Sequence, residues 1–399
     1  MYRFDLFFSK IYKSRKNKSL FILYIAGIFL AISSALPAYI NSSLIENSVA
    51  VEYVGLFFVV ANLLTFVSML FFPQTIKRFG NLASAKAMIF INLVSLFFLA
   101  MNPSAFWLFI FFVSMWVSSN LIWVNMDIFV ESFTKNTNTG KTRAIYFTFM
   151  NLGWIVSPFL ASRLVVADDR YGPVYLASAS ILLVFYAIIV FNRKKVHRKV
   201  RFEALKIRET IKIFWKDLNL RGIYFVSFFL NLFFNSAVVF IPIYLHTNLG
   251  FEWSTLGIMF SIMLIPFILI EIPAGIIADK YLGEKEMMFA GLFILMSALL
   301  MFFFVKSTNP FVWGAILFFS RIGAALVEEM REASFFKIVD VKHVSQINFL
   351  RTSYPLGYLV GSGLGVLVLS FFPVQYLFLF LAIIFLYSFY FVYIIKDSK

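Results

Sequence analysis

Apolar residues along this chain fall into twelve long runs that are separated by short polar connections. The runs cover approximately residues 20–40, 51–73, 83–101, 105–126, 144–166, 174–191, 222–245, 255–277, 287–305, 311–330, 354–371 and 374–395. Each run is long enough to cross ~30 Å of hydrocarbon as a helix. With 61% hydrophobic and 14% charged residues, little of the chain remains for a water-soluble domain. The pattern therefore predicts an all-α membrane protein with twelve transmembrane helices.

The longest polar stretch, residues 192–221, divides the twelve runs into two groups of six. It is strongly basic, and its apolar residues recur on one helical face: Phe202, Leu205, Ile211, Phe214, Trp215 and Leu218. A basic amphipathic segment of this kind is expected to lie along the inner leaflet, attracted to anionic lipid. The sequence thus predicts a six-helix bundle over 1–191, a cytoplasmic linker over 192–221 and a second six-helix bundle over 222–399.

The first residues of the chain form a second amphipathic segment. Apolar residues at helical spacing are interleaved with basic ones before the first run: Phe4, Phe7, Phe8, Ile11 and Tyr12. This spacing predicts a short interfacial helix that belongs to the first bundle. Residues 1–19 lack an apolar core followed by a small-residue cleavage site, so we expect the first span to insert without removal of a signal peptide.

The two groups of six runs repeat each other's spacing, which indicates an internal repeat. Gly55 and Pro73 are as far apart as Gly257 and Gly275. Two pairs of acidic residues recur in the same way: Asp127 with Glu131, and Glu328 with Glu332. We therefore expect two pseudo-symmetric halves.

Lys and Arg residues are concentrated in alternate connections. All but four of the 35 basic residues lie at the chain ends or on the side of the linker, the exceptions being Arg163, Arg170, Lys306 and Arg321. This distribution follows the positive-inside rule and predicts that both termini are cytoplasmic. The net charge of +15 then reflects topology and does not predict nucleic-acid binding. We expect a multi-pass protein of the cell inner membrane, from a bacterial source.

One connection carries a distinctive pattern of glycines and charges. Residues 273–285 read Pro-Ala-Gly-Ile-Ile-Ala-Asp-Lys-Tyr-Leu-Gly-Glu-Lys. With Gly275, Asp279, Lys280 and Gly283, this stretch resembles the signature loop between the second and third helices of a major facilitator superfamily half. It departs from that loop at Leu282, which lengthens the spacing before the second glycine.

The resemblance implies the architecture of that superfamily, in which two six-helix bundles rock about a central solute cavity. In the family the loop glycine lets helices approach closely, and the loop aspartate makes a charge contact that latches the cytoplasmic gate. We expect Asp279 to pair with Arg331, with Arg351 as the second candidate and a solvated loop charge as the alternative. Lys77 stands at the equivalent position of the first half, so only the second copy can form this latch.

The fifth and eleventh runs carry further glycine patterns. Residues 153–158 read Gly-Trp-Ile-Val-Ser-Pro and resemble the superfamily's helix-5 motif, in which a Gly-Pro pair bends the helix beside the cavity. Ser157 replaces the expected glycine, which weakens an assignment as a drug/proton antiporter. The eleventh run has glycines that are expected to allow close helix contact: Gly357, Gly361, Gly363 and Gly365.

Ionisable residues inside the runs are candidates for function, because a charge in hydrocarbon costs several kcal/mol. Arg321 lies near the centre of the tenth run, where an anionic substrate group or a carboxylate partner would satisfy it. For Glu271, coupling or protonation and an ion pair with a nearby arginine are equally open. For Asp127 and Glu328, gate-side salt bridges are favoured over proton carriage.

Polar and aromatic residues near mid-membrane complete the candidate substrate cavity: Trp116, Asn120, Asn151, Asn231 and Asn235. Interhelical hydrogen bonding is the alternative for the asparagines, because polar side chains in lipid need partners.

Enzymatic chemistry has little support in the sequence. The three histidines, His197, His246 and His343, do not form a metal-ligand spacing, and the chain has no cysteine. A nucleotide-binding GxxxxGK[ST] loop is also missing. We expect no enzyme activity and no cofactor.

The function predicted from the resemblance is secondary transport of a small organic solute by alternating access, with proton coupling as an option. Export of apolar or drug-like compounds is slightly favoured over uptake, because a Phe-rich lining suits such a cargo; a compositional bias of the source genome is the alternative explanation for the many Phe residues. The expected partners are the solute, protons and membrane lipids, and the chain is expected to act as a monomer. A non-transporting sensor or scaffold with the same fold is the alternative, since fold alone does not establish function.

Overall fold

The computed structural model describes residues 15–133, 139–165, 170–196, 207–339 and 344–396. In these residues, twelve helices are long and apolar enough to cross a membrane, which confirms the predicted number of spans. The amphipathic helix predicted before the first span lies outside the described residues, as does the first part of the linker.

Six helices precede the linker. Their bounds are Arg15–Ala35 (α1), Val51–Phe79 (α2), Asn81–Leu99 (α3), Ala105–Glu131 (α4), Thr139–Leu164 (α5) and Gly172–Phe191 (α6). A short helix, Asn41–Glu46, connects α1 to α2. Two short helices, Arg193–Val196 and Ile207–Lys216, belong to the linker.

Six further spans follow the linker, and three of them are made of several segments. They are Leu218–Asn248 (α7), Trp253–Met263 with Pro266–Leu269 and Glu271–Lys280 (α8), Glu284–Phe304 (α9), Pro310–Ile338 (α10), Val344–Arg351 with Ser353–Leu369 (α11), and Gln375–Tyr393 (α12). We call α1–α6 the first bundle and α7–α12 the second bundle.

Proline residues account for the irregular backbone of α7 and α8. Pro242 lies between two π-helical segments of α7, and Pro266 follows the break after Met263 in α8. Proline has no N–H to donate, so the regular ladder of hydrogen bonds is interrupted at these points. The residues of α7 from Ser236 to Leu245 are all buried, so neighbouring helices rather than lipid surround its irregular backbone.

An even number of spans places both chain ends on one side of the membrane, together with the linker. We call this the linker side and the opposite surface the far side. The prediction that the linker side is cytoplasmic rests on the distribution of basic residues.

Glycines bring the two bundles together near the far side. A Cβ added to Gly55 of α2 would lie 2.8 Å from the carbonyl oxygen of Ser362 on α11. A Cβ added to Gly257 of α8 would lie 2.9 Å from the carbonyl oxygen of Pro158 on α5 and would overlap Ser162. These two glycines occupy equivalent positions in the sequence repeat, so the two crossings have the same cause.

Ring and hydrogen-bond contacts reinforce this far-side seal, by which we mean the contacts between the bundles near that surface. Tyr39 stacks on Phe260 with ring centroids 4.9 Å apart, and Tyr171 contacts Trp253 edge-on at 5.7 Å. The backbone N–H of Phe159 donates to Ser261 Oγ at 3.1 Å. The structure is therefore closed on the far side.

Three of the four glycines in α11 lie against α7. Added Cβ atoms at Gly357 and Gly361 would meet Asn231 and Asn235, and one at Gly365 would overlap the ring of Phe240. A Cβ at the fourth, Gly363, would meet no described atom within 4 Å. The expected close contact is thus present at three positions and absent at that one.

We expect Gly257→Ala to open the far-side seal, because its methyl group would meet Ser162 and the carbonyl oxygen of Pro158. Overpacking costs about 1–3 kcal/mol, which corresponds to a roughly 5- to 150-fold larger open population. The chain has no cysteine, so maleimide labelling of a single cysteine at Ser43, which is buried on the far side, measures this opening.

Gly363→Ala is the matched control, since it adds the same methyl group to a helix position with open space around it. Labelling should stay at the wild-type rate in this variant. Equal labelling rates for Gly257→Ala and Gly363→Ala would show that the α5–α8 crossing does not hold the far side closed.

Candidate functional site

Arg321 is a buried cation at the middle of α10. Its residue surface is 1% exposed, and its Nη1 atom has no hydrogen-bond partner among the described residues. The guanidinium carbon lies 5.3 Å from the ring centroid of Phe233 and 5.8 Å from that of Phe234, both on α7. Cation–π contacts of this kind stabilise the charge in part, but they do not satisfy its donors.

Among the described residues, the polar neighbours of Arg321 are the hydroxyl groups of two tyrosines. Its electrostatic neighbours are Tyr39, which follows α1 in the first bundle, and Tyr358 on α11. Among the described side chains, no carboxylate forms an ion pair with it. A buried charge without a counter-ion costs several kcal/mol. The side chain of Glu271, the ion-pair partner considered from the sequence, lies outside those that the structure describes.

Aromatic side chains from both bundles form a wall beside Arg321. Tyr358 lies 4.5 Å from Tyr354 and 6.1 Å from Trp116 on α4, measured between ring centroids. The indole Nε1 of Trp116 donates to Asn62 Oδ1 at 3.2 Å. This hydrogen bond satisfies the indole and holds its ring at the boundary between the bundles.

The asparagines predicted to line the cavity have different environments. Asn235 donates to Ser362 Oγ at 2.8 Å, and Asn231 donates to the carbonyl oxygen of Ser227, also at 2.8 Å. Asn235 thus joins α7 to α11, as in the interhelical alternative, whereas the hydrogen bond of Asn231 lies within α7. Asn120 is half-buried and donates to the Trp116 carbonyl oxygen at 2.9 Å, and Asn151 is half-buried on α5. Their roles in binding stay predictions.

A charged network lies nearer the linker side and is centred on Glu332. Arg331 donates to Glu332 Oε1 at 2.6 Å and to Ser227 Oγ at 2.8 Å, and Arg351 donates to Glu332 Oε1 at 2.8 Å. The network joins α10 to α7 and α11. Its Arg331 side chain is 6% exposed, so Glu332 is the counter-ion that makes this burial tolerable.

The two acidic gate candidates lie close to this network. Glu328 Oε1 is 4.0 Å from Arg331 Nη2, and its side chain is 41% exposed. Asp127, half-buried on α4, is an electrostatic neighbour of Arg351 across the two bundles. Glu328 is therefore only partly covered by the protein.

The structure describes only part of the signature loop at residues 273–285. The side chains of Asp279 and Lys280 lie outside those described, so the predicted pair between Asp279 and Arg331 stays a prediction. A Cβ at Gly275 would meet no described atom within 4 Å, so the close helix approach implied by the resemblance is not seen among the described residues and stays a prediction. Gly283 has φ 115°, a left-handed conformation that favours glycine and forms the turn before α9.

One polar contact between the bundles was not anticipated from the sequence. Thr247 Oγ1 at the end of α7 donates to Glu46 Oε2 at 3.0 Å. The two residues are 201 positions apart, which is the repeat spacing of the paired acidic residues, so they are near-equivalent positions of the two halves. Burial raises the pKa of Glu46 above its ordinary value, and the Thr247 hydrogen bond and nearby His246 oppose that shift.

These features define a membrane protein with two six-helix bundles, a seal on one side and a buried cation between the bundles, as in secondary transporters. The chain belongs to the Major Facilitator Superfamily, whose model matches residues 19–339 and 254–399. The resemblance stated from residues 273–285 is thus confirmed. A comparison with curated proteins found no match.

Solved structures share the fold at low sequence identity. The nucleoside transporter NupG is 14% identical with a TM-score of 0.75, covering 95% of this chain and 99% of that one. A bacterial homologue of the human lysosomal transporter Spinster, inward-facing and occupied, is 11% identical with a TM-score of 0.69, covering 96% and 97%. In its inward-facing, unoccupied form the TM-score is 0.68, with 90% and 84% covered. At this identity the likeness shows the fold alone.

We expect Glu332→Gln to destabilise the protein, because Arg331 would remain buried without its counter-ion. Removing one partner of a buried ion pair costs about 3–5 kcal/mol, and the partial exposure of Arg351 places this case near the lower value. Thermal unfolding in detergent measures the loss.

The matched control is Glu286→Gln, which removes the same charge from an exposed position on α9. Its melting temperature should stay at the wild-type value. If the two variants had the same melting temperature, the Glu332 network would not contribute to stability.

The far-side seal should be more populated at low pH. Because the pKa of Glu46 is raised in the sealed state, stabilisation by its protonated form is present below 4.5, the ordinary value, and is lost as the pH rises through the raised pKa. Ser104 and Thr308 are exposed on far-side connections of different bundles. Spin labels on cysteines at these two positions report opening of the seal as a longer label-to-label distance in double electron–electron resonance.

Glu46→Gln keeps the shape of the side chain and removes its titration. We expect the distance distribution of this variant to be independent of pH over the same range. A pH response that persists in Glu46→Gln would assign the effect to another group.

Proposed function

We propose that this protein is a secondary transporter of a small organic anion, which it moves by alternating access of a site between its two bundles. Membership of the Major Facilitator Superfamily supports transport of a solute. The single observation that supports a negatively charged solute is the environment of Arg321. This residue is buried, lacks a carboxylate partner among the described side chains and has an unsatisfied Nη1 donor.

The chemistry of a guanidinium suits a carboxylate or phosphate group on the solute. Its planar arrangement of donors can bind two oxygens at once, and charge-assisted hydrogen bonds are about twice as strong as neutral ones. A solute oxygen on Nη1 would satisfy the donor that has no partner among the described residues. The surrounding rings of Phe233, Phe234 and Tyr358 would then contact an apolar or aromatic body.

The placement of the site supports alternating access. Tyr39 belongs to the first bundle, Arg321 to the second, and the stack of Tyr39 on Phe260 forms part of the far-side seal. On the linker side the Glu328 side chain is 41% exposed. We infer that the solute exchanges with the linker side in this conformation, and that rocking of the bundles opens the Tyr39 side of the site.

The direction of transport and the coupling ion stay predictions from the sequence. Export remains slightly favoured, because aromatic rings surround the proposed anion site and suit a cargo with an apolar body. Proton coupling is proposed at Glu271 or at the exposed carboxylate of Glu328. We also propose a monomer in the cell inner membrane. A sensor or scaffold that binds the anion without moving it is the alternative.

The anion specificity is tested with Arg321→Ala. In a thermal-shift screen of organic anions, cations and neutral solutes, the wild type should be stabilised by an anion class only. Hydrogen bonds to charged groups contribute about 1.5–3 kcal/mol, so the variant should bind that anion roughly 10- to 100-fold more weakly. Uptake of the same anion into reconstituted vesicles should fall in parallel.

Arg163→Ala is the matched control, since Arg163 is exposed at the far-side end of α5 and lies over the ring of Phe159. It should retain both binding and transport. Stabilisation by cations or neutral solutes that survives Arg321→Ala would reject an anion site. Anion binding without flux in vesicles would favour the sensor or scaffold.

A further inference from the structure

The linker helix Ile207–Lys216 is attached to the second bundle by a buried aromatic residue. Phe214 is 3% exposed, and its ring centroid lies 4.7 Å from Phe349 of α11 and 6.0 Å from Tyr224 of α7. Thr210, one turn earlier on the same face, is also buried. The helix is therefore held in a defined place rather than tethered only by its ends.

Packing against the bundle covers only part of the apolar stripe on this helix. Ile207 is 37% exposed and Trp215 is 56% exposed. The basic residues Arg208, Lys212 and Lys216 are exposed as well, and their four-residue spacing aligns them along one side of the helix, next to Trp215. A row of cations thus borders an uncovered apolar stripe.

The position of the helix brings that stripe to the membrane boundary. Asp217 follows the helix directly and caps α7, because its Oδ1 accepts from the N–H groups of Asn219 and Leu220 at 2.8 and 3.1 Å. Leu218, the first residue of α7, is 44% exposed. Since α7 enters the hydrocarbon at this point, the linker helix lies at the level of the headgroups.

We propose that the linker helix binds the anionic surface of the bilayer leaflet on the linker side, through Arg208, Lys212, Lys216 and Trp215. Cations of this kind stay at the phosphate level while their alkyl stems cover apolar surface, and a tryptophan is well suited to the headgroup region. The leaflet that the positive-inside rule assigns to this side is also the anionic one. Charge and apolarity therefore favour the same occupant.

The attachment through Phe214 transmits this binding to α11. Phe349 is two residues before Arg351, which pairs with Glu332, and Tyr224 Oη lies 3.2 Å from Thr352 Oγ1. When lipid holds the linker helix, it also restrains the start of α11 and the Glu332 network. Anionic lipid thus stabilises the arrangement of the second bundle on the linker side.

The test compares hydrogen exchange of the full-length protein in nanodiscs of phosphatidylcholine alone and in nanodiscs that also contain phosphatidylglycerol. Each basic residue near an anionic surface strengthens binding by roughly 5-fold. We expect exchange of the 207–216 amides to slow by at least about 10-fold in the anionic nanodiscs. The 345–351 amides should slow with them.

The triple variant Arg208→Gln, Lys212→Gln, Lys216→Gln should lose this dependence on lipid. Arg163→Gln with Lys306→Gln is the control, since it removes exposed charges from the far side and should leave the dependence intact. Phe214→Ala should keep the lipid effect on 207–216 and lose it on 345–351. Transmission through Phe214 is rejected if the effect on 345–351 survives in that variant.

Quenching by brominated lipid provides a measurement that needs no charge variant. Wild-type tryptophan fluorescence should be quenched more strongly in anionic nanodiscs, and Trp215→Phe should abolish the difference. The proposal is overturned if wild-type exchange over 207–216 is equal in both lipids, or if its slowing persists in the triple variant.

Discussion

Hydrocarbon neither hydrogen-bonds a peptide group nor solvates a charge, and every main feature of this protein follows from that constraint. The twelve spans are helices because a helix satisfies its own backbone. The irregular segments of α7 are mostly buried, so protein rather than lipid surrounds them. Among the described residues, the Arg331 charge at the linker-side end of α10 has Glu332 as a counter-ion, whereas Arg321 at mid-span has none.

The two bundles contact each other at glycines, which have no side chain. Gly55 and Gly257 are equivalent in the repeat, and each lets a helix of one bundle contact the backbone of the other. Helices in lipid have little hydrophobic force between them, so close packing through small residues supplies the attraction. The same contacts are reversible, because they bury no charge. Polar contacts such as Glu46 with Thr247 add a component that depends on protonation.

Charged groups at different depths in the membrane have different surroundings and different proposed roles. The far side has the glycine crossings and Glu46, the middle has Arg321 with its aromatic wall, and the Glu332 network lies toward the linker side. The linker helix then connects this last region to the bilayer surface through Phe214 and Phe349. A ligand at one of these levels would shift the arrangement of the bundles only if it bound one arrangement more tightly than the other.

Hydrophobic run length and the distribution of Lys and Arg were enough to predict twelve spans, a linker and a preferred orientation, because insertion depends on local composition. The pattern at residues 273–285 was enough to indicate the family, and Arg321 was marked by the cost of a charge at mid-span. Sequence could not decide which neighbours each polar residue meets. Asn235 binds Ser362 of α11, and Arg331 binds Glu332 and Ser227. Such partners depend on the rotation and crossing of helices distant in sequence, which only the packed tertiary structure determines.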